Sequence, residues 1–310
     1  MSSESRSQVL RSKRVLAILL CASALLSCGL LFRSNVYGMA LDAATTATSR
    51  LAQEPSAAHT KESFYATASR IGAQEPLAAH TKESFYAIAS RIGTDKVTRI
   101  GSKPLEGQYH NYQLMYEKYL PAYRTGKKLK LLEIGLGCDM NYGPGKSLAL
   151  WQEYFGDAVD LYFMEYDAAC AEKWNAKTEG ATIISGDQAK IEDLQRVIDI
   201  SGGNFDLIID DGGHSMIQQK TTYKHMFLNA LKPGGLLFIE DLQTSYMSTY
   251  GGAYKGDTTV EMVKGIIDSF HFGAGGINSP PPQPNAVDEQ VMFVDCMREI
   301  CALRRKPLEF

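Results

Sequence analysis

The sequence predicts an α/β fold: a doubly wound, mostly parallel sheet with a C-terminal antiparallel hairpin, preceded by an N-terminal transmembrane helix. Three observations lead there. From Lys128 onward, short apolar runs alternate with helical stretches, the pattern of strands covered by helices on both faces. Several of those runs end in glycines or acids, as in "LLEIGLG", "YFMEYD", "IISGD" and "LIIDDGG". Finally, "VLAILLCASALLSCGLLF" (residues 15–32) is an unbroken apolar run close to the minimum length for crossing a bilayer.

The elements follow in order. Residues 127–137 read as a strand ending in glycines, 147–155 as a helix and 159–167 as a second strand. A helix near 168–177, a strand at 181–187, a helix around 190–200 and the strand "FDLIID" (205–210) come next. A helix near 216–231 leads into "LKPGGLLFIED" (231–241), and "QVMFVD" with "EICALRRK" forms the terminal hairpin. Upstream, "YQLMYEKYL" reads as a helix suited to a lid or a subunit contact. The six cysteines show neither metal spacing nor a disulfide framework, and Cys296 and Cys301 read as two buried thiols on the hairpin, with a pair as the alternative.

At the N-terminus Arg6, Arg11, Lys13 and Arg14 precede the apolar run and only Arg33 closely follows it. That asymmetry predicts a cytosolic tail (1–14), a signal anchor (15–32) and a chain whose remainder is lumenal or extracytosolic. Secretion after signal cleavage and an organellar destination are the alternatives. Residues 33–93 read as a linker carrying a 21-residue tandem repeat (52–72 and 73–93) whose copies differ only at Ser56/Leu77 and Thr67/Ile88. Each copy suits an amphipathic helix stopped by Gly72 or Gly93. The first copy is expected to be a spacer, with a partner-binding helix as the alternative. A net charge of −3 over 310 residues argues against a broad nucleic-acid surface, and nothing in the sequence reads out an oligomeric state.

In open α/β sheets, ligands bind beyond the carboxyl ends of the strands, where strand order reverses. After the first strand stand Glu133, Gly135 and Gly137, glycines that let backbone approach a ligand. After the second comes Glu165, placed to accept from a ribose diol, and after the third Asp187, able to accept from an adenine amino group. Together these describe a nucleoside pocket. A dinucleotide is disfavoured because Met140 stands where the third glycine of G-x-G-x-x-G belongs.

Asp210, Asp211, His214, Glu240 and Asp241 fall at the ends of two strands expected to be neighbours. Carboxylates that close repel unless protonated or bridged by a cation, and oxygen donors suit Mg²⁺ or Mn²⁺ better than zinc. Asp210 has two readings, facing the nucleoside or capping the next helix. Downstream, Tyr246 and Tyr250, with Tyr254, are candidates to stack on an acceptor, and Gly251 and Gly252 to hinge a lid. "GAGGINSPPPQPNA" (273–286) reads as a flexible loop.

The motifs "GTDKVT" (93–98), "YHNYQLMYEKYL" (109–120), "LLEIGLGC" (131–138), "GDQ" (186–188), "IIDDGGH" (208–214) and "IEDLQTSY" (239–246) together resemble the class I S-adenosylmethionine-dependent methyltransferases. In particular they resemble the metal-dependent macrolide sugar O-methyltransferases of the mycinamicin type. The resemblance implies that residues 94–310 are a methyltransferase domain using S-adenosyl-L-methionine and Mg²⁺. Asp211, Glu240 and Asp241 would be metal ligands, His214 the general base, and Gln188 a cofactor contact beside Asp187. The acceptor would be a small-molecule or glycan hydroxyl. Two other readings stay open: a catechol or phenolic O-methyltransferase, and a non-catalytic, methyltransferase-like binding module tethered to a membrane.

Overall fold

The computed structural model describes residues 82–98, 110–271 and 285–309. The expected anchor at 15–32, the first repeat copy and most of the 273–286 loop lie outside the described residues. Among the described residues, no helix is long and apolar enough to cross a membrane.

Five parallel strands form the sheet: β1 (Leu129–Ile134), β2 (Val159–Glu165), β3 (Ala181–Ser185), β4 (Phe205–Asp210) and β5 (Leu231–Ile239). The antiparallel pair β6 (Val291–Met297) and β7 (Ile300–Arg305) extends it through β7, which pairs with β5. The order β3-β2-β1-β4-β5-β7-β6 reverses between β1 and β4, so a crevice opens beyond their carboxyl ends. There Gly135 takes φ 101° and Asp211 donates its backbone N–H to Ile134 at 3.0 Å. A β-carbon at Gly135 would stand 2.1 Å from the Asp211 carbonyl oxygen, so this close approach requires glycine.

The intervening helices are α1 (Phe85–Ile92), α2 (Gln113–Tyr119), α3 (Lys146–Phe155), α4 (Ala168–Asn175), α5 (Ile191–Ser201), α6 (Met216–Asn229) and α7 (Thr259–His271). Pleating sends alternate strand residues to opposite faces. Leu131, Leu207, Ile209 and Phe238 pack with Phe85, Tyr116 and Trp151 on one face. Leu132, Ile208, Leu237 and Ile239 pack with Leu194, Tyr223 and Phe227 on the other.

Three features differ from the sequence reading. First, the helix expected in the second repeat copy forms as α1, with Ser84 accepting the Ala87 N–H at its start and left-handed Gly93 ending it, but it belongs to the domain and not to a linker. Its Phe85, Ile88 and Ala89 are wholly buried in the core, so the domain begins before residue 94. Second, α7 is a helix that the sequence reading did not assign, its N–H at Glu261 capped by the Thr258 hydroxyl at 3.2 Å. Gly265 in its middle lowers its local propensity, and burial of Val263 and Ile266 compensates. Third, the cysteines are bridged. Cys296 and Cys301 are not free thiols but face each other across β6 and β7 as a disulfide. Cys138 and Cys170, 32 residues apart, form a second, joining the loop after β1 to the first turn of α4.

Candidate active site

The crevice is a cavity of about 1250 Å³. Its floor is the backbone at Gly135 to Gly137, and its walls come from the segments following β2, β4 and β5. Glu165 is buried at one side and lines this space, its Oε2 accepting from the Leu136 N–H at 3.0 Å and its Oε1 from the Asp167 N–H at 2.9 Å. Each carboxylate oxygen keeps a lone pair for a ligand hydroxyl. Gln188 is buried against the same cavity. It donates to Asp210 Oδ1 at 2.8 Å and accepts the Gly213 N–H at 2.9 Å, which fixes the "DDGG" turn rather than leaving the amide free.

On the opposite side Asp211, His214 and Asp241 converge, with one ligand atom from each lying within 4.8 Å of the others. His214 Nε2 is 3.7 Å from Asp241 Oδ2. Its Nδ1 is buried without a hydrogen-bond partner. His214 and Asp241 both adopt the left-handed backbone, each at φ 56°, a conformation uncommon outside glycine and one retained where surrounding structure enforces it. Two carboxylates and an imidazole facing one point fit a divalent cation. Tyr250 lines the cavity with its ring centroid 6.5 Å from that of His214.

Behind Asp211 lies a buried polar cluster that the sequence reading did not foresee. The Lys96 ammonium is 2.5 Å from Asp211 Oδ2, 2.8 Å from Glu240 Oε2 and 3.2 Å from Glu133 Oε1. Tyr116 donates a short hydrogen bond to the other Glu240 oxygen, and the Trp151 indole donates to Glu133. Burial works against the Lys96 charge, but the Asp211, Glu240 and Glu133 carboxylates outweigh it and hold its pKa well above the ordinary lysine value. Burial, then the Asp211 charge, raises Glu240.

Several expected assignments change accordingly. Glu240 is not among the converging ligand atoms: both its oxygens are committed to Lys96 and Tyr116 inside the fold. Glu133 faces the α1–α3 layer and does not line the cavity. Asp187 is also outside the lining; its Oδ1 accepts the Ala189 N–H at 2.9 Å and shapes the turn into α5. Asp210 is wholly buried under Gln188, and burial raises its pKa. Its nucleoside-facing reading therefore fails, while its role is to hold Gln188. Tyr246 is half exposed and outside the lining, as is the more exposed Tyr254. The "YQLMYEKYL" helix is a wall of the core, with Met115 and Tyr116 wholly buried.

No family model matches the chain. It is similar to the L-olivosyl-oleandolide 3-O-methyltransferase of Streptomyces antibioticus, 35% identical over 172 residues, which are 54% of this chain and 42% of that protein. It is also similar to the mycinamicin VI 2''-O-methyltransferase of Micromonospora griseorubida, 29% identical over 61% of this chain and 46% of that protein. Among solved structures, the MycE methyltransferase of the mycinamycin biosynthetic pathway, in complex with Mg, SAH and mycinamycin VI, superposes with a TM-score of 0.59. That superposition has 25% identity and covers 74% of this chain and 55% of that one. The chain thus spans about half the length of the relatives it matches, and its resemblance to sugar O-methyltransferases holds in both sequence and fold.

Proposed function

We propose that this chain is an S-adenosyl-L-methionine- and Mg²⁺-dependent O-methyltransferase acting on a hydroxyl of a sugar or glycosylated small molecule. The observation that carries this reading is the convergence of Asp211, His214 and Asp241 across one cavity from Glu165 and the Gly135–Gly137 turn. Similarity to methyltransferases of oleandolide and mycinamicin glycosides supports the acceptor class, and a MycE structure holding Mg and SAH supports the cofactors.

In this mechanism Glu165 accepts from the ribose hydroxyls of the methyl donor, and Gly135 to Gly137 let the backbone approach it. Asp211 and Asp241 would hold the cation, which when bound would acidify an acceptor hydroxyl, and His214 stands beside them with its imidazole left for the proton. His214 takes the proton from that hydroxyl. The walls of the cavity hold donor and acceptor in line, so that much of the acceleration comes from orientation.

The same proposal extends to the layout of the chain: a cytosolic tail, a signal anchor at 15–32, and a catalytic domain on the lumenal or extracytosolic side. The two disulfides among the described residues favour an oxidising compartment.

The deciding experiment incubates the full chain with methyl-labelled S-adenosylmethionine and a panel of glycosylated macrolides, with Mg²⁺ or with EDTA. Metal-dependent label in a sugar methoxyl is expected. Undiminished transfer in EDTA would overturn the metal-assisted reading, and no binding of S-adenosylmethionine would overturn the enzyme reading.

A further inference from the structure

The turn joining β6 to β7 reaches into the same cavity: Arg298, Glu299 and His110 all line it. Glu299 sits at the tip with φ 67°, a left-handed conformation that costs a non-glycine residue free energy. Two features hold it there. Cys296 and Cys301, paired directly opposite one another, are bridged just behind the tip, and the Glu299 carbonyl accepts the Leu242 N–H at 2.9 Å. The Glu299 side chain then meets His110, Oε2 to Nδ1, at 2.9 Å. The far edge of the same imidazole, Nε2, lies 3.4 Å from Asp241 Oδ1.

His110 is itself constrained. Its ring stacks on Tyr112, with centroids 4.5 Å apart and planes 13° from parallel. The Tyr112 hydroxyl accepts the Asp241 backbone N–H at 3.1 Å. Asp241 is therefore held on its backbone by Tyr112, while its Oδ1 accepts from the Gln243 amide at 2.5 Å with the His110 imidazole facing the same oxygen, and its other oxygen points towards His214.

We infer that Glu299 and His110 are positioning residues, a bridged hairpin tip that sets the carboxylate of Asp241 for the cation. This rests on the metal-assisted reading above. Partners that orient a metal-binding side chain typically contribute ten- to a hundredfold in metal affinity, roughly. The geometry is a sequence-distant carboxylate acting through an imidazole, which is why no local motif announces it.

The test is calorimetric titration of the full chain with Mn²⁺, alongside titration with S-adenosylmethionine in the absence of metal. Glu299→Ala and His110→Ala are expected to raise the Mn²⁺ dissociation constant about tenfold and leave S-adenosylmethionine binding unchanged. Glu299→Gln, whose amide oxygen can still accept from Nδ1, is expected to restore most of the Mn²⁺ affinity. Unaltered Mn²⁺ binding by Glu299→Ala would overturn this inference alone. So would parallel loss of both ligands in all three variants, which would mark a merely structural turn. Absence of Mn²⁺ binding by the unsubstituted chain would overturn the metal-assisted reading and this inference together.

Discussion

The ammonium of Lys96 lies 2.5 Å from Oδ2 of Asp211, joining the segment after α1 to the end of β4 at the edge of a cluster whose Lys96, Glu133 and Glu240 are buried. One internal cation thus faces three carboxylates. Removing one partner of such a group leaves buried charge uncompensated, at a cost of about 3–5 kcal/mol. Lys96→Met is expected to lose stability of that order in denaturant unfolding. Adding Glu240→Gln to it should recover part of the loss, because one of the stranded charges is then gone. Strictly additive losses would dissociate the two residues.

Asp211 and Asp241 should behave differently from Glu240. Asp211→Asn and Asp241→Asn are expected to abolish metal-dependent methyl transfer while the fold persists. Glu240→Gln should instead register first as lower thermal stability, since its oxygens are turned to Lys96 and Tyr116. His214→Ala is expected to reduce turnover by about 10²–10⁴ without weakening S-adenosylmethionine binding. Comparing melting curves with metal and cofactor titrations separates these outcomes.

The succession of strands along the chain and the acids at their ends were legible in the sequence because apolar runs with flanking glycines mark buried parallel strands. What the sequence left ambiguous was the face. Adjacent residues on a strand point to opposite sides, so Asp210 is wholly buried beneath Gln188 while Asp211 lines the cavity. Glu240 and Asp241 diverge in the same way just past β5. Lys96, His110 and Glu299 were illegible as site residues, since each has a partner more than a hundred positions away in sequence, Asp211 for Lys96 and one another for His110 and Glu299.

Gly135 offers a test of the crevice. Gly135→Ala would drive a methyl group against the Asp211 carbonyl, parting β1 from the turn after β4. S-adenosylmethionine affinity is expected to fall at least tenfold, measured by calorimetry, whereas Gly265→Ala, whose β-carbon would meet nothing within 4 Å, should leave it intact.

Glu133 supplies a pH signature. Burial, opposed by the Lys96 charge, pushes its carboxyl up to about 7 from 4.5. Between those values the folded chain holds a proton that the unfolded chain has released. Its contribution to stability is therefore complete below the window and lost as pH rises through it. Glu133→Gln cannot titrate and should flatten the dependence of melting temperature on pH across this interval; an unchanged slope would argue against the raised value.

The Cys138–Cys170 bridge closes a loop spanning 32 positions, and a constraint of that length on the unfolded chain is worth about 3–4 kcal/mol. Cys138→Ser combined with Cys170→Ser is expected to lower the denaturant midpoint accordingly. Equal stability with and without reductant in the parent chain would mean the bridge does not form.

The docking of α1 gives the duplicated segment an unequal pair of claimants to a single berth. Ile88 is 1% exposed against the core, and the upstream copy carries Thr67 at the equivalent position. Seating that copy instead would bury a hydroxyl where a methyl-bearing chain belongs, at a penalty of about 1–3 kcal/mol, before any difference in tether length. Of the two differences between the copies, the one at Thr67/Ile88 thus favours the second as the copy that completes the domain, and an Ile88→Thr exchange would remove that preference.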